Sequence, residues 1–185
     1  MSRLYGNPIH QCYVYSDFDA AIERLAAGGI GPFWTMRSGG MGIYRGEEHA
    51  LDMDVGFCYS GDTCFEIIAP RGEQQSAYWE FLTRNPQGGL HHMAYFSDDF
   101  EATLAASAAA GKPLEIVQEF RLPGSDEAVE IYCEPKGADN PVLFQFVHHG
   151  PFDNWFDSMR KIAAEWDGSE PIRDARASMA AAMPT

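Results

Sequence analysis

Residues 10–20 read H-Q-C-Y-V-Y-S-D-F-D-A, and residues 92–102 read H-M-A-Y-F-S-D-D-F-E-A. At this offset of 82, His10 falls on His92, Tyr13 on Tyr95, Phe18 on Phe100 and, further on, Gly29 on Gly111. The chain therefore contains the same strand-helix unit twice, with a histidine at the start of each strand. Two such histidines suggest half-sites facing one another across a pseudo-twofold axis.

Working outward, residues 9–15 alternate as a strand. Ile9, Gln11, Tyr13 and Tyr15 point one way, and His10, Cys12 and Val14 the other. A helix follows, where Ser16 and Asp19 have capping-box spacing and the second copy places Asp98 and Glu101 at the matching positions. Gly29 and Gly111 are natural stops for the two Ala-rich helices. The Gly-rich stretch from Gly28 to Gly46 carries Phe33, Trp34, Met36 and Tyr44, an aromatic set expected to serve as core and pocket lining. It makes the second strand of the first copy poorly defined, so 31–50 is expected to be a loop at the mouth of any site. Strands follow at 51–59 and 63–69, joined by the turn S-G-D, and Pro70 ends the module. A connecting helix is expected over 72–85. The second module repeats the programme with strand 91–97, helix 98–111 and strands near 115–121, 128–134 and 141–147.

Each module is thus β-α-β-β-β, and the fold class is α+β. The expected layout is one domain over 1–150, with module one at 8–70, a connecting segment at 71–89 and module two at 90–147. The remainder, 151–185, is a helix and tail. Phe152, Trp155, Phe156, Met159, Ile162 and Trp166 recur at three- and four-residue steps, marking an amphipathic helix that serves as a lid or a dimer contact. The tail from 168 shows no firm pattern.

Composition narrows the function. The chain has 185 residues, 45% of them apolar and 13% aromatic, which suits a globular domain with a real core. A formal charge of −14 argues against nucleic acid or an anionic membrane as partner, because both need clustered Lys and Arg. A small-molecule substrate is the partner that remains. No run approaches the roughly 20 apolar residues of a membrane span, and the N-terminus lacks a signal-peptide core, so a cytoplasmic location is expected. Cys12, Cys58, Cys64 and Cys133 form no C-x-x-C pair and read as buried reduced thiols.

The last strands of the modules also align. C-F-E-I-I at 64–68 falls on L-F-Q-F-V at 143–147, which sets Glu66 opposite Gln145. Each is a polar residue inside an apolar strand, and a buried carboxylate needs a cation or hydrogen bonds. His10, Glu66, His92 and Gln145 together make a two-nitrogen, two-oxygen set suited to a divalent first-row metal ion, with positions left open for water or substrate. Of the pair His91 and His92, the repeat selects His92 and leaves His91 on the opposite face. A pairing of Glu66 with Arg37 or Arg45 is the competing reading of that carboxylate. His49, His148 and His149 have no partner in the repeat and read as surface residues.

These paired modules, the strand-initial histidines, E-I-I-A-P at 66–70 and G-G-L-H-H-M-A-Y at 88–95 resemble the vicinal oxygen chelate superfamily. That group includes glyoxalase I, methylmalonyl-CoA epimerase, extradiol dioxygenases and bleomycin-resistance proteins, and the resemblance spans about residues 8–147. F-L-T-R-N-P-Q-G-G-L-H-H at 81–92 is most similar to the epimerase branch. The resemblance implies a cupped eight-stranded sheet holding one metal ion (zinc, cobalt, nickel, manganese, magnesium or iron) at His10, Glu66, His92 and Gln145. It also implies a homodimer and isomerase, epimerase or lyase chemistry through an enolate-like intermediate. One departure stands out: relatives usually carry Glu in the last ligand strand, where this chain has Gln145. The proton-transfer role then moves elsewhere, to Glu48, which lies about where epimerases place a catalytic Glu, or to Glu66. Two other readings stay open. One is a metal-free binding protein of the bleomycin-resistance kind, and the other a ferrous dioxygenase using His10, His92 and Glu66.

Overall fold

The computed structural model describes residues 3–121, 125–150 and 152–182. Residues 1–2 of the N-terminal stretch, 122–124 of the expected segment between strands, the junction residue 151 and residues 183–185 of the tail lie outside the described residues.

The first module runs β1 (His10–Val14), α1 (Phe18–Ala27), β2 (Phe33–Tyr44), β3 (Glu47–Ser60) and β4 (Thr63–Pro70). After α2 (Ala77–Arg84) the second runs β5 (Gly89–Phe96), α3 (Phe100–Ala109), β6 (Leu114–Arg121), β7 (Ala128–Pro135) and β8 (Leu143–Val147). Then come α4 (Phe152–Ala164), β9 (Ile172–Asp174) and α5 (Ala175–Ala182). The sheet order is β3-β4-β1-β5-β8-β7-β6-β2-β9, and β2 also pairs with β3, so eight strands close into a ring and β9 adds to the edge of β2. The protein is α+β, as the order of its elements predicts.

The pseudo-twofold axis runs between β1 and β5. These strands pair antiparallel, His10 with Ala94 and Cys12 with His92. Shifting either pair by 82 exchanges it for the other, as a twofold demands. Each central strand then takes its module's last strand in parallel, Cys12 beside Glu66 and Ala94 beside Gln145. All four candidate ligands therefore point into the cup, because residues on one face of a sheet follow strand period two.

Three sequence expectations change. Residues 31–50 do not form a loop. They contain β2 and the start of β3, joined by Arg45 and Gly46, whose φ values of 48° and 88° fit the mirror-image turn that matches strand twist. Glycines hide this strand from a pattern search, yet two are required by packing. A Cβ on Gly39 would lie 2.6 Å from the Leu51 carbonyl oxygen, and one on Gly42 2.6 Å from Leu51 Cδ1. The helix caps also move by one residue: Asp17 accepts from the Ala20 N–H and Asp99 from the Ala102 N–H, in place of Ser16 and Asp98. Finally, the patternless tail adds β9 and α5, with α5 tied to α4 by a hydrogen bond from Trp155 Nε1 to Ser178 Oγ.

The amphipathic stripe of α4 buries Trp155 and Met159 over the cup. Phe57 meets both Trp155 and Phe156 edge to face, at 5.3 and 5.5 Å. The helix is thus a lid over the sheet. Among the described residues no helix is long and apolar enough to cross a membrane.

Candidate metal centre

β1 delivers His10, β4 Glu66 and β5 His92, and the three donors converge. His10 Nε2 lies 3.2 Å from Glu66 Oε2, His92 Nε2 lies 3.3 Å from the same oxygen, and the two Nε2 atoms are 3.3 Å apart. All three residues are buried, and one ligand atom from each falls within 4.8 Å of the others. Gln145, from β8, lines the same cavity of about 190 Å³. The alternative partners of Glu66 are engaged elsewhere: Arg37 pairs with Asp52, and Arg45 with Glu80 and Glu134.

Electrostatics sharpen the picture. Burial by itself would raise the Glu66 carboxyl, but His10 and then His92 outweigh it and hold the group below the usual carboxylate range. His92 is pushed down by burial, so its ring is neutral. Among the described residues no Lys or Arg lines the cavity. A buried carboxylate needs a cation or hydrogen-bond donors beside it. The thiols offer no competing ligand: burial, then Glu66, drives Cys12 up, and burial holds Cys58 at about 12.

The buried polar atoms without hydrogen-bond partners include Glu66 Oε2, Gln145 Oε1 and His10 Nδ1. Native interiors seldom leave such atoms unpaired. Two of them are oxygens of the proposed ligand residues. The donor set of two imidazole nitrogens, a carboxylate and an amide oxygen fits a divalent first-row ion.

The amide of Gln145 is held by its neighbours. Its Nε2 donates to Glu130 Oε2 at 2.7 Å and to the Tyr132 hydroxyl at 2.8 Å. Tyr132 in turn accepts from the Tyr78 hydroxyl at 2.8 Å and donates to Glu130 at 3.4 Å. In its ionised form Glu130 only accepts, so it holds the NH₂ toward itself and leaves Oε1 as the free end. Burial, and after it the charge of Glu66, raises the Glu130 carboxyl.

Sequence reasoning missed Glu130, Tyr132 and Tyr78. The signal was present: Glu130 and Tyr132 alternate inside the apolar strand V-E-I-Y-C, the same cue that singles out Glu66. His91 also differs from expectation. A β-bulge in the β1–β5 ladder, where Cys12 pairs with His92 and Tyr13 with Leu90, inserts it as an extra residue. Its ring therefore packs against His92 instead of crossing to the opposite face. Glu48, by contrast, is not brought to the site. It is exposed near the outer end of β3, paired with Ile43, and does not line the cavity. His49 and His148 are half-buried and His149 is exposed; His148 stacks on Phe100 at 3.9 Å.

Among solved structures, the fold is similar to methylmalonyl-CoA epimerase from Mycobacterium tuberculosis, with a TM-score of 0.52, 20% identity, and 82% of this chain and 93% of that one covered. It is also similar to the hypothetical protein BH1468 from Bacillus halodurans C-125, with a TM-score of 0.50, 17% identity, and coverage of 78% and 94%. No curated protein matches the sequence. The pattern that defines the Glyoxalase/Bleomycin resistance protein/Dioxygenase superfamily matches residues 9–126, well over half of the chain, and to that superfamily this protein belongs.

Proposed function

We propose that the protein is a metal-dependent enzyme of isomerase, epimerase or lyase type, acting on a small substrate whose carbonyl or hydroxyl oxygens chelate the ion. His10, Glu66, His92 and Gln145 would hold one divalent cation. The observation that carries this reading is the buried His10–Glu66–His92 cluster, whose carboxylate has no Lys or Arg to neutralise it. When bound, the ion polarises a substrate oxygen and lowers the cost of enolate-like charge.

The chain's own residues set the rest. Phe156 stacks over His10 at 6.0 Å, so α4 shields the donors from bulk water and strengthens every charge interaction beneath it. Among the described residues Glu66 and Glu130 are the carboxylates that line the cavity, and each would hold or move a proton beside a bound substrate. Their presence, with no Lys or Arg in the lining among the described residues, favours a substrate that is neutral within the cup. Apolar side chains from Met36, Phe57, Phe120 and Trp155 suit a hydrocarbon or aromatic moiety.

The test is metal titration of protein purified without a histidine tag, followed by solvent deuterium exchange into a panel of small α-hydroxy ketones. Binding of about one equivalent, and exchange that disappears in His10→Ala, supports the reading. Binding of less than about a tenth of an equivalent with metal in excess sinks it. A second reading rests on the same cluster: two histidines and one carboxylate also suit ferrous oxygen chemistry. Oxygen uptake with catechols after anaerobic iron loading would favour it over isomerisation.

A further inference from the structure

His91 is fully enclosed and belongs to none of the candidate ligands. Its Nε2 lies 3.2 Å from the carbonyl oxygen of Ala77, at the start of α2, and its Nδ1 lies 2.9 Å from His92 Nδ1. A carbonyl oxygen only accepts, so the proton of this bond sits on His91 Nε2. A neutral imidazole carries one N–H, which leaves His91 Nδ1 as a bare acceptor. The hydrogen bond to His92 then requires the proton on His92 Nδ1. His92 Nε2 is consequently a bare lone pair, and it is the atom aimed at Glu66 and His10.

The structure assigns His91 as a positioning residue: through a one-way hydrogen-bond chain from Ala77 it fixes His92 in the tautomer that presents Nε2 for coordination. The inference rests on the metal reading of this site. Ala77 is itself held, because its N–H donates to Gln118 Oε1 at 2.9 Å. The His91 ring is clasped by Tyr78 and Phe81, with centroids 5.1 and 5.2 Å away. An imidazolium there would be buried among aromatic rings, which favours the neutral form. Without the chain His92 would prefer the opposite tautomer, because an Nε2–H could donate to Glu66 Oε2, which otherwise lacks a hydrogen-bond partner. A bare Nε2 beside that oxygen is unfavourable until a cation lies between them.

Long-range nitrogen–proton correlation spectra of the imidazoles in metal-free protein read the tautomer directly, and zinc competition against a chromophoric chelator reads the affinity. The wild type should show His92 protonated at Nδ1. His91→Phe fills the aromatic clasp but offers no acceptor, so His92 should move to Nε2–H and zinc affinity should fall by roughly 10–100-fold, the range for outer-shell partners of metal-bound histidine. His91→Gln can accept from His92 and donate to Ala77, and should restore both readings. An Nε2–H tautomer in the wild type, or an unchanged tautomer and affinity in His91→Phe, overturns the assignment. If His91→Phe does not fold, the wild-type spectrum and the Gln variant still decide. A wild type that shows the Nδ1–H tautomer yet binds no zinc would overturn the metal reading and leave the hydrogen-bond chain standing.

Discussion

The two modules supply matching ligands but support them differently. In the β7–β8 ladder Tyr132 stands opposite Gln145 and Glu130 opposite Val147. The equivalent β3–β4 ladder sets Phe57 opposite Glu66 and Val55 opposite Ile68. The repeat also places Ile9 where module two has His91. Three polar supports in module two thus correspond to three apolar residues in module one. The consequence is visible atom by atom: His92 Nδ1 and both N–H groups of Gln145 are hydrogen-bonded, whereas His10 Nδ1 and Glu66 Oε2 have no partner. Module two presents donors whose orientation is fixed in advance. Module one presents a carboxylate with only imidazoles beside it, held in place by packing.

The helices explain how the asymmetry is built. Both hydrogen-bond chains of module two begin on α2, at the Ala77 carbonyl and the Tyr78 hydroxyl. The helix that follows module one therefore braces the donors of module two. The helix that follows module two does the reverse, since Phe156 of α4 covers His10. Duplication supplied the ligand positions, and the unduplicated helices differentiated them.

The largest expected effect treats the modules as equals. His10→Ala and His92→Ala should each weaken zinc binding by more than the roughly 10–100-fold typical of outer partners, and by similar amounts. Isothermal titration would show it. A much smaller loss for His10→Ala would break the symmetry at the ligands themselves. Chelation of the wild type should lower thermal stability, because ion at about 100 times Kd stabilises the native state by roughly 2.7 kcal/mol.

Next comes acid. In metal-free protein His91 is pushed down to about 3, first by burial and then by His92, from its ordinary 6.5. Between those values the unfolded chain binds the extra proton, so stability rises with pH across the window. This contribution is complete above about 6.5 and is lost as pH falls toward 3. Glu66, whose carboxyl is lowered, adds a loss of the same sign below its ordinary 4.5. His91→Phe should remove the upper part of the decline, seen as an acid-unfolding midpoint at lower pH. The same midpoint in both proteins would show that His91 does not govern it.

The third test swaps the modules' chemistry. Gln145→Glu puts the residue type usual in relatives beside Glu130, facing acceptor with acceptor. We expect a loss of about 1–3 kcal/mol in chemical denaturation. Glu130→Gln with Gln145→Glu restores a donor to the pair and should recover much of it, giving a coupling of roughly 0.5–3 kcal/mol. Additive effects would mean that Glu130 does not dictate the amide at 145.

How far the sequence was legible follows the same division. His10, His92, Glu66 and Gln145 stood out because duplication marks the same position twice. The second-layer residues could not be found that way, since His91, Glu130 and Tyr132 have no polar counterpart to align with. Nor could the β2–β3 hairpin, where Gly39 and Gly42 meet the Leu51 carbonyl oxygen and side chain respectively, contacts across the ladder. Residues 168–182 gave no periodic signal because β9 is three residues long and α5 only eight.

Glu48 shows the limit of reading by offset and gives the smallest expected effect. The 82-residue shift that aligns β1 with β5 would set Glu48 on Glu130. The ladders set Val55 there instead, because module one spends more residues in its long hairpin before the last strand returns. Glu48 consequently sits exposed, paired with Ile43, while Glu130 faces the cavity. Glu48→Gln should change stability by no more than about 0.5 kcal/mol, as for a surface residue without buried partners. It should leave zinc affinity and the deuterium exchange reaction unaltered. Exchange that falls tenfold with affinity unchanged would put the proton-transfer group on the hairpin. The catalytic burden would then lie with module one, and the carboxylates inside the cup would serve the ion alone.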